Sequence, residues 1–287
     1  MASGAGGVGL IAGAGVLPRL IAEALAKDGA PYLVVGFEGA APDWLDAHPH
    51  LVTRFEKIGA MFRALREMGA SRVVFAGGMT RPRLNPLRFD RTAARLAATV
   101  LPLLGKGDDA LLAGLTRVVE AEGFEMVGAH ALLGGLLAPA GDMAARAPSA
   151  ADRADIARAA ELVALIGAAD VGQAAVVDRG LCVGLETLQG TDALLDFVAR
   201  RPERLRAGEG APSGVLYKAP KPGQDWRVDL PAIGPDTLRA AAAAGLAGVA
   251  AQAGGVLVLG LEETRAEADR LGLFLHGWTP PAADAGA

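Results

Sequence analysis

The densest run of chemically capable side chains lies at 218–229, Lys-Ala-Pro-Lys-Pro-Gly-Gln-Asp-Trp-Arg-Val-Asp. Lys218, Lys221, Gln224, Asp225, Arg227 and Asp229 share a stretch stiffened by Pro220, Pro222 and Gly223. Lysines at such a loop can neutralise phosphate. Asp225 and Asp229 are hard oxygen ligands for Mg²⁺, or a base for water. A second polar group reads Glu186-Thr187-Leu188-Gln189-Gly190-Thr191-Asp192. Gly190 permits close approach of a ligand to the backbone. Thr191 and Asp192 serve equally well as caps of the following helix.

Three glycine-bearing turns are further candidates. Gly13-Ala14-Gly15-Val16-Leu17-Pro18 follows an apolar run and opens a helix, so its backbone N–H groups and the helix dipole suit a phosphate. The third glycine of a dinucleotide fingerprint is absent. Pro18 stands in its place, tolerated in a first helical turn but lacking an N–H donor. Glu38 lies where an NAD ribose partner belongs, which keeps an NAD-linked oxidoreductase open as an alternative. Gly77-Gly78-Met79-Thr80-Arg81 follows another apolar run, and its hydroxyl and guanidinium suit a phosphate or ribose. Gly107-Asp108-Asp109 opens a helix. The paired aspartates read as caps, or as ligands for Mg²⁺ or a sugar hydroxyl.

Other chemistries are excluded. His48, His50, His130 and His276 have no metal-ligand spacing, and no paired-histidine zinc motif, G-x-S-x-G elbow or Walker loop is present. Cys182 is the sole cysteine, so neither an intrachain disulfide nor a multi-cysteine zinc site is available. A net charge of −4 gives no basic footprint for nucleic acid. Residues 1–7 lack the basic region and cleavage site of a signal peptide. The uncharged stretch 240–261 is long enough to span a bilayer. Its glycines and Gln252 break it, however, and 256–259 reads as a buried strand instead.

With 287 residues, of which 52% are hydrophobic, the chain can form two domains of roughly 100–200 residues each. In the first half, apolar runs at 8–12, 32–36 and 72–76 alternate with helical patterns at 17–27, 58–68 and 107–123, with an edge strand at 124–127. That alternation predicts a doubly wound, Rossmann-like parallel sheet, with ligands beyond the carboxyl ends of its strands. Residues 136–148 read as a linker. The second half predicts a helix at 153–166 and a hairpin of 173–178 with 181–185 across Arg179-Gly180. Helices at 191–200, 237–253 and 266–271 and strands at 214–218 and 256–259 come next, with a tail from Thr279. The fold class is therefore α/β, an N-terminal Rossmann-like domain (8–140) with a C-terminal α/β or α+β domain (150–278).

The stretches GLIAGAGVLPRLIAEAL, FAGGMTRP, GDDALL, GFEMVGAH, GLETLQGTDALL and YKAPKPGQDWRVDLPAIG, in this order, resemble the UDP-2,3-diacylglucosamine pyrophosphatase family of lipid A biosynthesis. The likeness is to the branch that is not a calcineurin-like metallophosphoesterase, and it spans about Gly9 to Trp278. It implies two α/β domains with the substrate between them. The reaction implied is hydrolysis of the pyrophosphate of UDP-2,3-diacylglucosamine to UMP and 2,3-diacylglucosamine 1-phosphate. The family requires a divalent cation, Mg²⁺ or Mn²⁺, and is understood to use the glucosamine-side phosphate. Asp225 falls on its essential aspartate.

The expected catalytic set is Asp225, Lys218 and Asp229, and the expected metal set is Asp225, Asp192 and Glu186. Substrate is expected at Gly13, Ala14, Gly15, Val16, Leu17, Gly77, Gly78, Thr80, Arg81, Gly107, Asp108, Gly190, Thr191, Lys221 and Gln224. Many members read Glu-Gly-Thr-Asp where this chain has Gln189-Gly190-Thr191-Asp192, which withdraws a carboxylate from position 189. The resemblance also implies a cytoplasmic enzyme in transient contact with the inner membrane; a homodimer is expected on general grounds. A non-catalytic UDP-sugar sensor is the remaining alternative.

Overall fold

The computed structural model describes residues 6–105, 107–202 and 212–280, so most of both expected tails falls outside the described residues. The chain divides into two compact units. The first holds residues up to Gly134 together with Asp225–Asp229, and the second holds Gly135–Gln224 and the chain from Leu230.

The first unit is a doubly wound sheet. Its strands are β1 (Gly7–Ala12), β2 (Tyr32–Phe37), β3 (His50–Thr53), β4 (Ala70–Ala76) and β5 (Glu125–Met126). All pair in parallel, in the order β3-β2-β1-β4-β5. Helices α1 (Leu17–Lys27), α2 (Ile58–Glu67), α3 (Arg91–Val100) and α4 (Asp108–Ala121) lie between them in sequence, and the short α5 (Ala129–Leu132) follows β5. Every residue of β1 is buried, as expected for the middle of a parallel sheet covered on both faces. Met61, Phe62 and Leu65 of α2 pack with Val35, Val73, Phe124 and Met126. Burying each such side chain fully contributes about 1.5–3 kcal/mol. Consecutive crossovers lead from β1 outward to β3, and the chain then returns to pair β4 on the other side of β1. The topological switch point therefore lies between β1 and β4, where open α/β sheets take their ligands.

The second unit contains β6 (Gly141–Asp142), β7 (Ala174–Asp178), β8 (Leu181–Leu185), β9 (Val215–Lys218), β10 (Ala232–Ile233), β11 (Gly248–Gln252), β12 (Leu257–Val258) and β13 (Phe274–Trp278). Six of these form a mixed sheet in the order β6-β13-β11-β9-β7-β8, while β10 and β12 pair separately. Alternation along β7 sends successive side chains to opposite faces. Ala175 and Val177 meet Ile156, Ala159 and Val163 of α6 (Ala150–Ala168). Ala174 and Val176 meet the core formed with α7 (Gly190–Ala199), α8 (Pro235–Ala243) and α9 (Leu261–Leu271). The hairpin turn forms as expected: Arg179 and Gly180 both have positive φ, 53° and 77°, and Asp155 accepts from both of their N–H groups.

Two expectations are overturned. The helix expected at 237–253 is α8, a turn and then β11. Alanine favours the helix intrinsically, but Gly245 turns the chain at φ 71°. Beyond that turn, β11 pairs with both β9 and β13 as an interior strand. The stretch 136–148 is no free linker. Ala138 and Met143 are buried in the second core, and Ala138 donates to the Val256 carbonyl while Met143 donates to that of Leu275. Among the described residues, no helix is long and apolar enough to cross a membrane.

Candidate functional site

The turns after β1 and β4 meet each other at the switch point. Ala14 N–H donates to the Gly78 carbonyl at 2.7 Å, and Gly78 N–H returns the bond to Ala14 at 3.1 Å. A Cβ on Gly13 would stand 2.4 Å from the Gly78 carbonyl oxygen, and one on Gly77 would stand 2.3 Å from that of Ala14. These glycines therefore let two loops lock together. The N–H groups of Gly13, Ala14 and Gly78 are used inside the lock. Ala14, Gly15 and Val16 remain exposed, with Leu17 half-buried. No side chain caps α1, so its first turn still offers donors to a ligand. Thr80 is exposed, and Arg81 donates to the Leu104 carbonyl at 2.8 Å. Gly107 is the N-cap of α4, whose first residue is Asp108; the side chain of Asp108 lies outside what is described. Glu38 accepts from Arg54 at 2.7 Å, and that hydrogen bond lowers its pKa. The carboxylate required by an NAD reading is thus already paired.

A second group of expected residues gathers in the second unit. Lys218 ends β9 and is buried. Its Nζ donates to Thr191 Oγ1 at 2.8 Å and to the Ala232 carbonyl at 3.2 Å. Thr191 in turn donates to buried Glu186 at 3.2 Å. Gly190 opens α7 with φ 85°, and Asp192 is exposed in its first turn. The cap expected from Thr191 or Asp192 does not form, because the N-cap is Gln189 and no side chain bonds there. Lys221 pairs with Asp170 at 2.6 Å, and its N–H donates to Gln224 Oε1 at 3.0 Å.

Asp225 belongs with the first unit, as does everything to Asp229. Val228 and Asp229 donate their N–H groups to the Asp225 carbonyl, which makes a tight turn, and the Val228 side chain packs on the first core. The Asp225 carboxylate accepts from the backbone N–H of Arg227 at 3.0 Å. It also accepts the guanidinium side-on, with Nε 3.0 Å from Oδ1 and Nη2 2.7 Å from Oδ2. The Arg227 side-chain hydrogen bonds hold the Asp225 carboxyl below the ordinary aspartate range, against an opposing push from burial. Nη1 of Arg227 reaches Glu120, in the last turn of α4, at 2.8 Å. Sequence reasoning included Arg227 in the loop without a role and missed Glu120 altogether. Nothing local marks a glutamate whose partner lies 107 positions away.

Among the described residues, no group of three or more His, Cys, Asp or Glu side chains is placed to hold a metal. Glu186 and Asp192 lie in the second unit, Asp225 in the first. One ionised, partly exposed carboxylate is nonetheless the hard ligand that Mg²⁺ uses when substrate phosphates complete its shell.

Comparison with known proteins covers both units. Residues 7–136 match the LpxI N-terminal domain, and residues 139–276 match the LpxI C-terminal domain. The chain is 41% identical over 273 residues to UDP-2,3-diacylglucosamine pyrophosphatase LpxI of Caulobacter vibrioides, an alignment covering 95% of this chain and 98% of that protein.

Proposed function

Because the chain belongs to the LpxI family, we propose that it is a hydrolase cleaving the pyrophosphate of UDP-2,3-diacylglucosamine to UMP and 2,3-diacylglucosamine 1-phosphate. The identity shared with the Caulobacter enzyme along nearly the whole chain carries this reading. Asp225 is the reacting carboxylate. Held ionised by Arg227, it is suited to hold Mg²⁺ or Mn²⁺; the alternative role, a base for water, is weakened by the same lowering. Such a cation, when bound, supplies charge neutralisation and polarisation of the phosphorus centre. Lys218 at the end of β9, with Lys221 and Gln224 in the following loop, supplies positive charge and hydrogen bonds to the diphosphate, and Asp229 joins Asp225 and Lys218 in the catalytic set. The exposed backbone at Ala14–Gly15–Val16 and the Thr80–Arg81 turn approach the UDP moiety. A diacylated substrate has to be drawn from a bilayer, so the enzyme works in the cytoplasm with transient contact at the inner membrane, as a homodimer.

The test is UMP release from UDP-2,3-diacylglucosamine in the presence of Mg²⁺, with and without Asp225→Ala. The variant is expected to lose at least about a hundredfold in turnover while keeping the parent melting temperature. Near-normal turnover by Asp225→Ala would remove Asp225 from the chemistry. Stabilisation by NAD(H), but not by UMP or UDP-sugars, would point to the oxidoreductase reading. UDP-sugar binding without turnover would make the chain a sensor. Running the reaction in heavy-oxygen water assigns the attacked phosphorus, which is expected to be that of the 2,3-diacylglucosamine 1-phosphate product.

A further inference from the structure

We propose that Arg227 and Glu120 are positioning residues for the Asp225 carboxylate, Arg227 as the fork that orients it and Glu120 as the outer anchor of that fork. The inference rests on Asp225 being the reacting carboxylate.

Asp225 and Arg227 are two positions apart, and both are partly exposed. A free pair of that kind would sample many rotamers. Here the guanidinium meets the carboxylate side-on through Nε and Nη2, and the Arg227 N–H holds Oδ1 from the backbone side. Both oxygens are thereby fixed in the plane of the guanidinium. The third nitrogen, Nη1, is held by Glu120. Glu120 occupies the last turn of α4, where the helix dipole disfavours a carboxylate, and Arg227 offsets that cost.

The two ion pairs are not what fastens the segment. Val228 packs on the first core. The Trp226 carbonyl oxygen lies only 3.0 Å from where a Cβ on Gly128 would stand. The backbone on either side of Arg227 is therefore held by packing. Arg227 and Glu120 are each more than two-fifths exposed, so these ion pairs contribute little to stability. Their remaining role is geometric. A catalytic carboxylate has to be held within about 0.5 Å of its productive position, and the fork supplies that constraint.

The test compares Arg227→Ala and Glu120→Gln with the parent enzyme, reading kcat and KM separately. Arg227→Ala is expected to lower kcat about tenfold or more, with KM within about threefold and the melting temperature little changed. Added methylguanidine should restore part of its turnover, and methylammonium should restore less, because only the former presents the planar fork. Neither should rescue Asp225→Ala. Glu120→Gln keeps the fork but loosens its anchor, and it is expected to lower kcat by about threefold or more at unchanged KM. Should Arg227→Ala fail to fold, Glu120→Gln decides alone. Turnover within about twofold of the parent in the folded variants, a loss carried by KM, or equal rescue by both cations overturns the proposal. If the parent releases UMP and Asp225→Ala does not, such a result removes the positioning role and leaves the proposed function standing.

Discussion

An ammonium group buried like that of Lys218 needs oxygen partners, and Thr191 provides one of them with a single hydroxyl. That hydroxyl accepts from Lys218 Nζ and donates to Glu186 Oε2, linking a buried cation to a buried carboxylate. Thr191→Val keeps the shape and removes both bonds. It is expected to lower the unfolding free energy by about 1–3 kcal/mol, the cost of taking one hydrogen-bond partner from each of two buried charged groups. Urea denaturation would measure this, and a change below about 0.5 kcal/mol would show that the cluster rearranges or hydrates freely. The residue types here were legible from sequence, the linkage was not. Lys218 and Thr191 stand 27 positions apart, and only the return of β9 beside β7 in the sheet brings the two stretches together.

At the scale of elements, the two glycine turns at the switch point act as one unit. Gly13→Ala would drive a methyl group into the Gly78 carbonyl, and since that atom is backbone it cannot swing aside. The expected penalty is about 1–3 kcal/mol, as for other overpacked sites, seen as a lowered melting temperature. A variant as stable as the parent would mean that the loops separate without cost. Hydrophobic period and glycine stops showed α1, α2, β1, β2, β4 and the hairpin of β7 and β8 in the sequence, because each is a local pattern. Strand β3 escaped because it is a short, largely exposed edge segment, His-Leu-Val-Thr. Strand β11 was hidden in an alanine-rich run whose local preference is helical, and its two neighbouring strands override that preference. The small strand β6 gave no periodic signal at two residues.

The whole molecule is not a simple succession of two domains. The chain leaves the first unit after Gly134, returns to it for Asp225–Asp229, and leaves again. Val228 is packed against the first core and the Trp226 carbonyl lies close to Gly128, so the returning segment is part of the first unit's structure. Cleaving the backbone after Gly134 is therefore expected to leave the two pieces associated on gel filtration, and Val228→Asp in the cleaved protein is expected to weaken that association. Clean separation of the cleaved but otherwise unaltered pieces would show that five residues are too few to hold them.

The same return path bears on inheritance. A single recombination event at the 134/135 junction would deliver a first unit without the five residues that carry its Asp225, and would leave the second unit holding a segment fitted to another partner. A working chimera between relatives needs at least two further crossovers, one on each side of 225–229. The acidic group on which hydrolysis is proposed to depend is thus encoded inside the gene segment of its neighbour, and a single junction cannot exchange one half of this protein intact.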